Sequence, residues 1–391
     1  MDIKVIIANP GIYPFQHGGV AKYFFYLGKA MSQLGAQVEF VSSLPSLSQR
    51  DIHPRNGALN YKFLPPVFYS GFYNSIPEYF LFNVTLATHL PKRTFDVLHA
   101  YWSVTYHYLH NNRRKPVILQ PFEDVYMPFN TRVPRPVEIT YYAFKKHMSD
   151  YCIGQADAIA AENAEQERVL VELGARRSQL FSLPVGVDIQ TLDDAQNRSD
   201  MSRTDLTLAQ DDFVILSVSS LEPLKGIDDL IESYRLVRKR IPNAKLVIVG
   251  KGSLQSMVDS AKASAIGEGI IQIKNLPESS LYKLYSISDI FLSPTLAHSG
   301  LMSVLEAMAS RLPIVSSGQS FWIREGLNGY VVGKKAPQAL ADAIVKVWAT
   351  GARFEMGKSS RLIAEQYDFR MLAKDVLEKY EEVLSRVNTP S

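Results

Sequence analysis

Short apolar runs rich in Val and Ile alternate along the chain with stretches whose apolar positions recur at helical spacing. The runs at 3–8, 38–42, 97–100, 117–120, 158–161 and 180–183 predict strands in the first half. Those at 214–219, 245–249, 270–273, 290–292, 314–316 and 330–332 predict strands in the second half. Unbroken apolar runs of this kind belong to parallel sheets with helices on both faces, where a strand has no wet side. The stretch 20–34 reads as a helix: Val20, Phe24, Leu27, Met31 and Leu34 form its buried stripe, and Gly35 stands where a capping glycine belongs. The stretch 369–387 reads as a last helix, with Leu372, Val376, Tyr380 and Val383 on one face. Between the halves, 186–212 is polar and weakly periodic and reads as linker and surface. The expected fold class is α/β, two doubly wound, Rossmann-like domains.

The segment 293–313 carries the most specific chemistry. It reads as a strand end, a loop of small residues and a helix. Leu301, Val304, Leu305 and Met308 fall at the i, i+3, i+4, i+7 spacing of a packed face. Glu306 lies off that stripe and is expected to point away from the core, toward whatever the loop encloses. Free backbone N–H groups at a helix start, here Leu301, Met302 and Ser303, suit a phosphate. A carboxylate one turn further on suits sugar hydroxyls. Together they describe a nucleotide-sugar site.

Composition narrows the class. A chain of 391 residues suits two domains of about 150–200 residues each. With 46% hydrophobic and 21% charged residues it is an ordinary globular chain, and a net charge of +3 does not imply nucleic acid. No nucleic-acid module is visible, so that partner is not expected. Cys152 is the single cysteine, which excludes an internal disulfide and suits a small buried hydrophobe. No apolar run reaches the ~20 residues of a membrane span. The first residues read as a buried strand rather than a leader, so a cytoplasmic location is expected. Residues 1–150 hold 15 Lys and Arg against 9 Asp and Glu. Interleaved with them are Tyr61, Phe63, Phe68, Tyr69, Phe72, Tyr73, Tyr79, Phe80 and Phe82, near Lys92-Arg93, Arg113-Arg114-Lys115 and Lys145-Lys146-His147. That pattern suits peripheral contact with an anionic membrane surface and a lipid-linked acceptor; it also suits an aromatic core with solvated charges.

The segment Glu306-Ala307-Met308-Ala309-Ser310-Arg311-Leu312-Pro313-Ile314-Val315 resembles the donor-site signature of the retaining glycosyltransferases of family 4, which have the GT-B fold. Glu306 matches the second Glu of that signature, and His298 stands where the first would be. Further phrases resemble the family in order: Ala156-Asp157-Ala158-Ile159, Pro184-Val185-Gly186-Val187-Asp188, Val249-Gly250-Lys251-Gly252-Ser253 and Asn328-Gly329-Tyr330-Val331-Val332. The resemblance implies an acceptor-side domain over 1–188, a nucleotide-sugar domain over 189–368, and a terminal helix, 369–391, that crosses back to the first domain. It places the two domains on either side of a cleft.

The resemblance also implies roles. Glu222-Pro223-Leu224-Lys225-Gly226 is similar to the loop whose Lys meets the donor phosphates, where a fixed ammonium stabilises the departing charge. An Arg that the family carries just before it is replaced here by Ser219 or Ser220, and Arg324 is a candidate substitute. The pair Gly18-Gly19, opening the helix after the first strand, is expected to face the donor phosphates. His17 precedes it on the acceptor side. Gly250 and Gly252 belong to the donor turn, and Glu306 is expected to take the ribose hydroxyls. His298 is either a catalytic candidate near the transferred sugar, able to donate or accept a hydrogen bond or to be cationic near phosphate, or a loop residue of the donor pocket. Glu123 and Asp124 stand at a strand end where an α/β sheet binds ligands: Glu123 is a catalytic candidate that orients sugar hydroxyls or acts on the acceptor's proton, with Asp124 on the acceptor side, or the pair is a helix cap or surface turn. His99 resembles an acceptor-side strand-end histidine. Family members retain anomeric configuration without an agreed protein nucleophile and need no metal, so neither cofactor nor metal is expected. The rival functions are a nucleotide-sugar epimerase or hydrolase on this fold, and an inactive binding subunit.

Overall fold

The apolar runs form two all-parallel sheets. The computed structural model describes residues 3–16, 18–44, 59–67, 76–122, 135–296, 302–318 and 321–388. The chain divides into one unit made of Met1–Gly186 with Phe369–Ser391 and another made of Val187–Asp368.

The first unit runs β1 (Lys4–Ala8), α1 (Gly19–Gln33), β2 (Gln37–Leu44), β3 (Asn60–Val67), α2 (Ile76–His89), β4 (Val97–Tyr101), β5 (Val117–Gln120), α3 (Arg135–Gln155), β6 (Ala158–Ala161), α4 (Ala164–Glu172) and β7 (Leu180–Ser182). Its strand order is β3-β2-β1-β4-β5-β6-β7. The order reverses between β1 and β4, and a sheet of this kind opens a crevice at such a point. Helix α1 buries Tyr23, Phe24, Leu27 and Met31, and the chain leaves it through Gly35 at φ 96°. Strand β3 was not expected. Its Pro65-Pro66 pair breaks the apolar run, which the edge of a sheet tolerates because no outer neighbour needs the missing N–H.

The second unit runs α5 (Ile189–Arg198), β8 (Phe213–Val218), α6 (Ile227–Arg238), β9 (Ala244–Val249), α7 (Gln255–Lys262), β10 (Ile270–Ile273), α8 (Glu278–Ser286), β11 (Ile290–Ser293), α9 (Met302–Ala309), β12 (Ile314–Ser317), β13 (Gly329–Val332), α10 (Pro337–Thr350) and α11 (Arg353–Glu365). Its strand order is β10-β9-β8-β11-β12-β13, so the reversal lies between β8 and β11. The stretch expected as a linker is instead structured within this unit. Asp188 caps α5, accepting from Thr191 N at 2.9 Å. Arg361 of α11 grips Asp193 of α5 through two bonds of 2.7 Å. Arg203 donates to Asp289 at 2.8 Å and to the carbonyls of Ile287 and Asp212. Ile189, Leu192 and Leu208 are buried but too widely spaced to make a periodic pattern, and the ion pairs add to them.

Helix α12 (Phe369–Asn388) belongs to the first unit and packs along α1, which is the crossing-back expected of it. Phe369 meets the Tyr23 ring edge-on, and Tyr380 is fully buried. Cys152 is buried, which pushes its thiol up to about 12. Among the described residues no helix is long and apolar enough to cross a membrane.

Candidate functional site

At the carboxyl end of the second sheet, the loops after β8, β9 and β11 interlock through backbone. Leu221 N donates to Lys251 O at 3.1 Å, Leu254 N to Leu221 O at 2.9 Å, and Leu296 N to Leu224 O at 2.8 Å. Gly226 has φ 62°, and a Cβ built on it would lie 1.9 Å from Pro294 O. Gly250 has φ 144°, and its Cβ would lie 1.9 Å from Ser219 O. Only glycine lets these loops meet so closely. The expected donor glycines Gly250 and Gly252 thus have a packing reason of their own, Gly252 lying against Leu221. Glu222 is likewise occupied: it accepts from Ser253 N at 3.0 Å and from the Ser253 hydroxyl.

Lys225 ends the short turn between Glu222 and Gly226 and is half-buried. It stands at the reversal between β8 and β11, where doubly wound sheets hold ligands. On the β13 side, Lys334 Nζ donates to Leu296 O at 2.6 Å. Arg324 lies elsewhere. Its N–H bonds Asn328 Oδ1 at 2.7 Å in the turn that leads into β13, at the amino-terminal end of that strand. The sheet separates it from Lys225, so it does not replace the missing arginine.

Glu306 corrects an expectation. It is 4% exposed rather than turned away from the core, and the hydroxyl of Tyr285 in α8 donates to its Oε2 at 3.0 Å. Helix α9 packs on α11 and touches α5 and α8, and its residues from Val304 to Ala309 are all buried. Burial and the neighbouring Glu306 charge hold the Tyr285 hydroxyl well above its ordinary range. Sequence reasoning missed Tyr285, because nothing local links positions 21 residues apart. Met302 and Ser303 open α9 half-buried.

In the first unit, Gly18 and Gly19 open α1 after β1. No side chain caps this helix and no acidic residue stands in its first turn. A Cβ on Gly19 would meet nothing within 4 Å, so the backbone there is open to an approaching group. His99 is not on an accessible face. It is 0% exposed, and its Nδ1 shares a 2.5 Å hydrogen bond with the Tyr380 hydroxyl of α12. Burial lowers its pKa to about 3. Its place is that of an internal tie between sheet and terminal helix. Phe122 packs against Tyr23, Phe24 and Tyr101. His17, Glu123, Asp124, His298 and Leu301 lie outside the described residues.

A cavity of about 1130 Å³ opens elsewhere, among Arg203, Phe213, Asp289 and Pro313. These residues start or precede β8, β11 and β12, so the cavity lies at the end of the sheet away from Lys225. Among the described residues no group of three or more His, Cys, Asp and Glu is placed to hold a metal ion.

Residues 17–191 match the family Glycosyltransferase Family 4, and residues 199–362 match Glycosyl transferases group 1. Over 245 residues the chain is 28% identical to the D-inositol 3-phosphate glycosyltransferase of Nocardia farcinica, covering 59% of this chain and 54% of that one. The matches to the first relatives span 49% to 60% of their length. The sucrose-phosphate synthase of Thermosynechococcus elongatus superposes with a TM-score of 0.81 at 17% identity, over 98% of this chain and 100% of that one. Anabaena HepE, in complex with UDP-glucose, superposes with a TM-score of 0.72 at 15% identity, over 97% of this chain and 100% of that one. The chain belongs to the family 4 glycosyltransferases and has their two-domain GT-B fold.

Proposed function

We propose that this protein transfers a sugar, with retention of anomeric configuration, from a nucleotide-diphosphate donor to a glycan or lipid-linked acceptor. The observation that carries the reading is the interlocked rim of the second unit. A loop bearing Lys225 is pressed by Gly226 against Pro294 at the strand-order reversal, with Glu306 one strand connection away. The UDP-glucose bound to the Anabaena neighbour supports a nucleotide sugar as donor.

In this reading Lys225 faces the diphosphate, and Glu306, oriented by Tyr285, takes the ribose hydroxyls. The bond from the anomeric carbon to the diphosphate oxygen breaks and its electron pair leaves with the phosphate. The acceptor oxygen bonds the same face of that carbon, and its proton passes to the departing phosphate oxygen. An ammonium fixed beside that oxygen stabilises the charge as it develops. No step needs a metal, and a chelator is expected to leave the rate unchanged.

The first unit supplies the acceptor side in this reading. Phe80, Leu81 and Phe144 are 41–44% exposed, and the Phe80 and Phe144 rings lie 6.1 Å apart. Exposed Lys146, Arg113, Arg114 and Lys115 belong to the same unit. Exposed rings with basic residues support contact with an anionic lipid surface on the cytoplasmic side. Phe82, by contrast, is 0% exposed and belongs to the core.

The test is turnover of a panel of nucleotide sugars with the full chain. Release of nucleoside diphosphate that needs an acceptor, and that Lys225→Ala abolishes, is expected. Release without any acceptor would favour a hydrolase, conversion of the donor to its epimer without release would favour an epimerase, and no turnover of any donor would overturn the reading.

A further inference from the structure

The family resemblance leaves the donor end one cation short, because Ser219 and Ser220 stand where an arginine is expected and Arg324 lies at the opposite end of its strand. We infer that Lys334, in the loop after β13, is a second diphosphate-facing cation of the donor site. The inference rests on the donor reading above and adds a residue to it.

Two contacts hold Lys334 itself, and two more hold its neighbours. Its ammonium donates to Leu296 O at 2.6 Å. Leu296 N is in turn held by Leu224 O at 2.8 Å, and Leu224 adjoins Lys225. The two ammonium groups therefore sit on loops joined through a single residue. The stem of Lys334 passes over Gly318, whose Cβ would lie 2.9 Å from Lys334 Cε. Gly318 itself has φ 79°, so a side chain there is disfavoured twice over. The next residue anchors the loop from behind: Lys335 has φ 54°, and its backbone N–H bonds the carboxylate of Asp229 in α6, which is 6% exposed. A lysine whose stem is laid across a glycine and whose head is brought to the strand-order reversal is positioned, not merely solvated.

Lys251 is the alternative cation at this end. It is exposed and follows β9, one strand further from the reversal, whereas Lys334 reaches the β11 loop itself. An ammonium acts as a point charge on phosphate and needs no planar partner geometry. Lys334 can therefore replace an arginine without conserving its direction of approach.

The experiment compares a nucleoside diphosphate with its parent nucleoside. Binding of UDP and of uridine to the full chain is measured by calorimetry, with the GDP and ADP pairs beside them, and the tightest pair is taken forward. Lys334→Met is expected to weaken the diphosphate at least tenfold and the nucleoside less than twofold. Lys334→Arg is expected to stay within a few-fold of the parent for both. A staple with no phosphate role would lose both ligands equally in Lys334→Met, and that result overturns the inference, as does an unchanged diphosphate affinity. Lys225→Met separates the two readings. If the parent binds the diphosphate and Lys225→Met loses it while Lys334→Met does not, the donor site stands and the role of Lys334 fails. If the parent binds no diphosphate, the donor reading itself fails.

Discussion

Gly226 sits so close to Pro294 that a methyl group on it would lie 1.9 Å from the Pro294 carbonyl oxygen. Since the backbone there is also left-handed, at φ 62°, Gly226→Ala must move the loop that carries Lys225. The expected outcome is a melting temperature lower by several degrees and at least a tenfold loss of nucleotide affinity. Differential scanning fluorimetry over a titration of whichever nucleoside diphosphate the parent chain binds checks both.

Gly19 provides the opposite case. A Cβ there meets nothing, and alanine in a helix is favoured over glycine by roughly 0.5–1 kcal/mol. Gly19→Ala is expected to fold at least as stably as the parent. If the first turn of α1 faces donor phosphate, turnover falls although stability does not, and parallel denaturant and rate measurements separate the two.

Removing one hydroxyl tests the support of Glu306. Tyr285→Phe leaves a buried carboxylate without the donor 3.0 Å away. The expected cost is about 1–3 kcal/mol of stability, with weaker nucleotide binding. Urea unfolding and calorimetry of the variant measure them. Unchanged nucleotide affinity would mean that the Glu306 carboxylate does not depend on this bond.

Acid sensitivity follows from His99. Burial lowers its pKa to about 3, below that of an exposed imidazole, so the unfolded chain takes up a proton that the folded chain refuses. Stability is therefore complete above about pH 6.5 and falls as the pH drops toward 3; near pH 4 the loss from this group is roughly 3 kcal/mol. The pair His99→Leu and Tyr380→Phe removes both polar partners and is expected to flatten that acid limb in unfolding curves taken from pH 7 to pH 4.

Arg361 is 9% exposed and bonds Asp193 through both carboxylate oxygens at 2.7 Å, with Ala309 O at 2.9 Å. Breaking a largely buried pair from one side costs about 3–5 kcal/mol. Arg361→Ala is expected to lie toward the lower figure, since Asp193 is partly exposed, and Arg361→Lys is not expected to restore the loss because it cannot bond both oxygens in one plane. Chemical denaturation of both variants decides it.

Most strands were legible because a strand covered on both faces must be apolar throughout. Strand β3 was hidden by Pro65 and Pro66, and its edge position explains why they are allowed. The stretch after Gly186 looked like a linker because its buried Ile189, Leu192 and Leu208 are too widely spaced to make a periodic pattern, and the charges of Asp193, Arg203 and Asp289 that add to them do not register in periodicity. The orientation of Glu306 was misread for a related reason. A helical stripe reveals one packed face, whereas α9 is packed on several, and the tyrosine that meets Glu306 comes from another helix. His99 looked like a ligand at a strand end, and its partner Tyr380 lies 281 positions away. Arg324 and Lys334 are near neighbours in the chain but flank β13 at opposite ends, a distinction that appears only when the strand is placed.

The most direct test is calorimetric titration of the full chain with UDP, GDP and ADP, repeated on Lys225→Ala and Glu306→Gln. The account predicts saturable binding of one of them by the parent chain and at least a tenfold loss in each variant. Binding that survives both substitutions, or no binding of any nucleoside diphosphate, would contradict it.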